Sequence, residues 1–179
     1  MDVKDTKARG RVDVITYIGD ITDQMVSKLI DITLQAKAAN TSEIRLHISS
    51  GGGSFSAGLA AYQHLTSLTD TCCSNISLVA HNIGDVIDEA NMLFLAANSR
   101  WVSWRGLFLL HEPQNQEDHD RFRSIFYERT KNDFGGNAHI PGKLYSYDRD
   151  SAYKIGITNE NSAPVFYPDG AVYWRVTPS

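Results

Sequence analysis

The stretch Glu43–Tyr62, EIRLHISSGGGSFSAGLAAY, decides the fold, because an alternating strand runs into three glycines and then into a helix. Ile44, Leu46 and Ile48 alternate with Arg45, His47 and Ser49, the period-two pattern of a half-buried strand. Leu59, Tyr62 and Leu65 repeat at helical spacing after Ser56. Gly51, Gly52 and Gly53 therefore stand at a strand end. Lacking Cβ, they can take positive φ and bring backbone N–H groups up to a ligand, which is how a chain builds an anion or oxyanion cradle. A plain tight turn uses the same residues, and the glycines alone do not separate the two readings.

Working outward, Arg11–Ile18 places Val12, Val14 and Ile18 on one face, and Gly19-Asp20 turns the chain into a helix from Asp23 to about Ala39. Thr22 is placed to cap that helix, Ile21 and Val26 to form a hydrophobic staple, and Met25, Leu29, Ile32 and Ala36 to form one apolar stripe. After the helix ending at Leu68, Ile76–His81 is apolar enough for a buried parallel strand. A helix is expected from about Val86 to Ala97, then strands at Arg100–Trp104 and Leu107–His111. Strand and helix alternate, so the expected fold is α/β, a spiral of right-handed βαβ units. Asp118–Asp133 reads as a further helix, Gly135-Gly136 as a break, and Ala152–Ile157 as a closing helix and glycine. Pro164–Tyr167 and Ala171–Val176 flank Pro168-Asp169-Gly170, the signature of a C-terminal β-hairpin. It is read as an edge hairpin covering apolar surface, or as a subunit contact.

With 179 residues and 42% hydrophobic content, the chain supports one core and one domain, 1–179. The net charge of −4, with no run of Lys or Arg, argues against a nucleic-acid partner. Met92–Ala97, the longest apolar stretch, is too short for a bilayer, and the first residues, MDVKDTKARG, are charged where a secretory signal is apolar. A soluble, cytoplasmic protein without a membrane partner is expected. The adjacent Cys72 and Cys73 are poorly spaced for an unstrained disulfide and lack the companions of a zinc site, so reduced thiols are expected, with no metal and no organic cofactor.

Four blocks in order, Ser49-Ser50-Gly51-Gly52-Gly53-Ser54, Ala57-Gly58-Leu59, Phe94-Leu95-Ala96-Ala97-Asn98 and Leu110-His111-Glu112-Pro113, resemble those of the Clp protease proteolytic subunits over Val12–His111. The resemblance implies a fold of the Clp-protease and crotonase type. It also implies a site in which a serine at a helix start attacks a peptide carbonyl, a histidine takes its proton and an aspartate orients the histidine. His111 falls on the histidine position. The oxyanion donors implied are the N–H groups of Gly52, Gly53 and Ala90. The serine position falls on Asp88 or Glu89, and no serine lies between Ser77 and Ser99. Counting back from Gly156 puts the aspartate position near Leu144, with Asp148 and Asp150 offset from it. Ser54, Ser56 and Ser103 are displaced candidates, each more simply a turn, cap or strand hydroxyl. His81 reads as a core or turn histidine.

A carboxylate at that helix start would be favoured by the unpaired N–H groups there, and would fill the place of a substrate oxyanion. The first reading is therefore a subunit without its nucleophile, structural or regulatory in a homo- or hetero-oligomeric ring. The resemblance implies an unfoldase ATPase as partner and polypeptides as substrate if active. The region after His111 is shortened where the family builds its ring-to-ring handle. A second reading is a crotonase-like acid–base enzyme acting on acyl-CoA thioesters through Glu89. A third is an active serine peptidase whose serine has been replaced by design.

Overall fold

In the computed structural model, residues 10–69, 75–134, 139–160 and 168–178 are described. Cys72, Cys73, the Gly135-Gly136 break and the first limb of the expected hairpin, 164–167, lie outside them. The described chain is α/β. Its strands are β1 (Val12–Ile18), β2 (Glu43–Ser50), β3 (Ser77–Ile87), β4 (Ser99–Val102), β5 (Leu107–His111), β6 (Leu144–Tyr147) and β7 (Val172–Val176). Its helices are α1 (Asp23–Ala38), α2 (Phe55–Leu68), α3 (Ala90–Leu95), α4 (Gln116–Thr130) and α5 (Arg149–Lys154).

The strands form one sheet in the order β6-β5-β3-β2-β1-β7, with β4 also paired to β3. All neighbours are parallel except β6, which returns antiparallel along β5. The apolar face of β2 is buried as its alternation predicts, with Ile44, Leu46 and Ile48 fully buried, but His47 on the opposite face is buried too. Thr22 caps α1 by accepting the Met25 N–H, and Ile21 and Val26 are both buried in the core. The core continues through Leu78, Ala80 and Val86 of β3, every residue of α3, and Phe108 and Leu110 of β5.

Three expectations need correction. The segment Val86–Ala97 is not one helix, because β3 runs on to Ile87 and α3 is confined to Ala90–Leu95. The strand survives Gly84 because its partner changes along its length. Val79–Asn82 pair with β4 and Asp85–Ile87 with β5. Asn82 bridges the handover, donating from Nδ2 to the Leu107 carbonyl and accepting the Gly84 N–H at Oδ1. Next, the closing helix begins earlier than Ala152, at Arg149, under an Asp148 cap. Last, β6 forms over Leu144–Tyr147, a segment for which no element was expected, because β5 otherwise ends the sheet with unpaired backbone groups. The second limb of the expected hairpin, β7, is a strand, and it lies parallel to β1.

Candidate active site

The parallel sheet delivers the ends of β2, β3 and β5 to one edge, and the turns leaving them carry the residues of interest. At the end of β2, the backbone closes onto the turn before α1. The Ile21 N–H donates to the Gly52 carbonyl and the Ser54 N–H to the Ile21 carbonyl. A Cβ on Gly53, at φ +150°, would lie 2.4 Å from the Ile21 carbonyl oxygen, so only glycine fits. Both readings of the cluster therefore have a physical counterpart: a close backbone approach, and an N–H turned toward a carboxylate. The Gly53 N–H donates to Glu89 Oε2 at 2.9 Å. The Gly52 N–H goes instead to Ser50 Oγ, and Ala90 is the buried first residue of α3.

Asp88 occupies the turn from β3 into α3 with φ +47°, a left-handed conformation rare for a non-glycine residue. Backbone and side-chain bonds hold it there. Its N–H donates to the Leu109 carbonyl, and its carbonyl accepts from both the N–H and the Nδ2 of Asn91. The carboxylate is thereby aimed at the end of β5, where Oδ1 accepts the His111 N–H at 2.7 Å and the two oxygens lie 3.0 and 3.1 Å from His111 Nδ1. The His111 side chain is 46% exposed and that of Asp88 26%.

Glu89 is half-buried. Burial is the largest influence on its carboxyl and pushes it above the ordinary 4.5. The bonds from the N–H groups of Gly53 and of Glu89 itself pull the other way, and the charges of Asp88 and Asp118 add to the rise. The expectation that the helix start would favour the charged form of this carboxylate is not met for Glu89, whose carboxyl is raised rather than lowered. A helix as short as α3 has little dipole to offset the loss of water.

His111 and Asp88 are brought together with Glu89 and Gly53, and Asp148 is not. In the β5–β6 ladder Leu144 pairs with His111 and Tyr147 with Phe108, so Asp148 lies past the far end of β5. Its carboxylate caps α5 by accepting from the N–H and hydroxyl of Ser151, which holds it below the ordinary carboxylate range. Leu144, opposite His111, is half-exposed and offers no orienting group. The displaced serines are engaged elsewhere. Ser54 caps α2 and contacts Ser56, and Ser103 contacts His81.

Sequence reasoning missed two contributions. The first is the left-handed turn at Asp88, which no local signal announces and which aims Asp88, not Glu89, at His111. The second is Glu112, fully buried beside His111. Burial pushes its carboxyl up, but the bonds from the Tyr145 hydroxyl and the Ile140 N–H outweigh that and hold it below the ordinary value. Together with backbone bonds to Gly142 and Lys143, Glu112 fixes the segment entering β6 against the end of β5.

A cavity of only about 10 Å³ remains among Phe55, Asp88, Glu89, Met92, His111 and Phe122. That is space for about one water and not for a peptide side chain. Groups of three or more metal-ligating side chains are absent among the described residues. Among those residues, too, no helix is long and apolar enough to cross a membrane.

The fold is similar to that of a solved structure, a ClpP1 mutant from Listeria monocytogenes. It superposes with a TM-score of 0.70 at 16% identity over 82% of this chain and 88% of that one, a likeness that establishes the fold. No curated protein matches the chain. The family model described as Clp protease matches residues 4–121, more than half of the chain and all of the elements that build the site, and the chain belongs to that family.

Proposed function

We propose that this chain is a Clp protease-family subunit that contributes structure or regulation to an oligomeric ring and does not itself cleave peptides through a serine nucleophile. The observation that carries this reading is the Asp88 carboxylate, at one of the two positions on which the family's serine falls by resemblance, bonded to both the backbone N–H and Nδ1 of His111. A carboxylate there cannot hand a proton to the imidazole, and it takes the ring nitrogen that an orienting aspartate would otherwise hold. Glu89 Oε2 meanwhile sits on the Gly53 N–H, where a substrate oxyanion would need a donor. Polypeptide cleavage, and any unfoldase ATPase that feeds it, would then involve serine-bearing sister subunits in the same ring.

Labelling with a fluorophosphonate serine probe tests the reading. The chain as it stands is expected to stay unlabelled, and Asp88→Ser to become labelled at residue 88 with His111 as its base. Labelling of the unaltered chain would overturn the proposal.

A further inference from the structure

The Asp88–His111 pair is built more firmly than a vacant site requires. Asp88 is held in left-handed backbone by three bonds, a strain that persists only where the surroundings fix it and that is common at working sites. We propose that Asp88 and His111 form a general-base dyad that activates water for the hydrolysis of small acyl esters with a good leaving group, without an acyl-enzyme. The inference rests on the reading that no serine acts here.

An ionised carboxylate only accepts hydrogen bonds, so the 3.0 and 3.1 Å approaches to Nδ1 make that nitrogen the donor and leave the lone pair of the neutral ring on Nε2. Asp88 is then a positioning residue, and His111, nearly half exposed, is the base. The adjoining cavity of about 10 Å³ matches one water, so the acyl compound must approach from the solvent side. In the step, a water oxygen bonds to the acyl carbon while Nε2 takes its proton. The acyl–oxygen bond to the leaving group then breaks with its electron pair, and the imidazolium returns its proton to solvent or to the leaving oxygen. The products are a carboxylic acid and an alcohol. With the Gly53 N–H bonded to Glu89 and the Gly52 N–H to Ser50 Oγ, two of the three expected oxyanion donors are occupied, which favours aryl esters and similarly activated acyl groups over amides.

The test is p-nitrophenyl acetate hydrolysis by the purified full chain, followed from the first turnover. Linear release without a burst is expected, slower in deuterium oxide, with a loss of about 10²-fold or more in His111→Gln, the scale of general-base catalysis. Asp88→Asn should lower the rate and change its pH profile, and Asp88→Glu should restore part of both. Should the variants fold poorly, carbethoxylation of the unaltered chain by diethyl pyrocarbonate replaces them. Loss of activity in step with modification mapped to His111 supports the dyad, and full modification with the rate retained overturns it. A linear rate indifferent to His111→Gln also overturns the dyad while leaving the serine-free reading intact. A burst together with fluorophosphonate labelling overturns both.

Discussion

Asp88 and Glu89 are neighbours in the chain with different partners, because the backbone turns between them. Left-handed φ at Asp88 sends its carboxylate to His111 on β5, and helical φ at Glu89 sends the next one to Gly53 at the end of β2. Glu89 is the less comfortable of the two, since burial raises its carboxyl above 4.5. Between 4.5 and that raised value the folded chain binds more protons than the unfolded chain. The contribution of this group to stability is therefore complete below 4.5 and is lost as pH rises through the folded value. Glu89→Gln keeps an oxygen for the Gly53 N–H and removes the charge. It should unfold at higher urea than the original chain at pH 7.5, with the difference shrinking toward pH 4. A gap of the same size at both pH values would mean that the charge of Glu89 has no part in it.

At the scale of the elements, β2 and β3 place His47 beside His81 in register, with the rings in edge contact at 5.7 Å. Burial is the main cause that lowers each to about 4; nearby Arg45 adds to the effect for His47, and His47 does so for His81. Both histidines are neutral when folded and must be charged when unfolded in acid, so stability present above 6.5 is lost as pH falls toward 4, on the order of 3 kcal/mol per group at most. Urea midpoints from pH 7 to 4 should drop, and more shallowly in His81→Gln; an equal drop in both would refute the assignment. A second device holds α3. Arg129 of α4 donates to the carbonyls of Leu95, Ala96 and Ala97, and buried Arg100 to those of Ala97, Arg129, Gly156 and Ile157. Arg129→Ala strands the Leu95 and Ala96 carbonyls, while Ala97 keeps its bond from Arg100, and should cost on the order of 2 kcal/mol in chemical denaturation, whereas a loss under about 0.5 kcal/mol would show that water replaces the guanidinium. Neither arginine reads as structural in sequence, where each is one charge among many. The alternation of β2, the Thr22 cap and the glycine approach are legible because their causes are local. The continuation of β3 past Gly84, the strand β6 and the turn at Asp88 are not, because each depends on β5 lying alongside.

For the whole molecule, assembly follows from which surfaces can still bury apolar area. The family model ends at residue 121, inside α4, so the match in sequence stops short of most of the region in which the resemblance implies a ring-to-ring handle. The outer face of α4 is mainly charged, pairing Arg121 with Glu117 and Arg123 with Asp133, around a single exposed aromatic, Tyr127. Exposed pairs of this kind are screened by water and salt, and side chains already paired within the helix and its loop have little charge left to offer a second ring. The region around β4, β5 and α5 differs, exposing Trp104 at 81%, Tyr153 at 45% and Leu107 at 37%, the kind of aromatic and aliphatic area that subunit contacts bury. The expected product is therefore a ring whose subunits associate side by side, with face-to-face stacking weak or absent. Native mass spectrometry and sedimentation velocity from about 1 to 100 μM should give a closed oligomer of one ring's mass, and Trp104→Glu, which places a charge in that contact, should shift it toward monomer without unfolding it. A monomer at every concentration would remove the ring from the proposed function. A stable double ring would show instead that stacking does not depend on the α4 face, and would move the search for its contact to the 139–143 segment that Glu112 fixes beside His111.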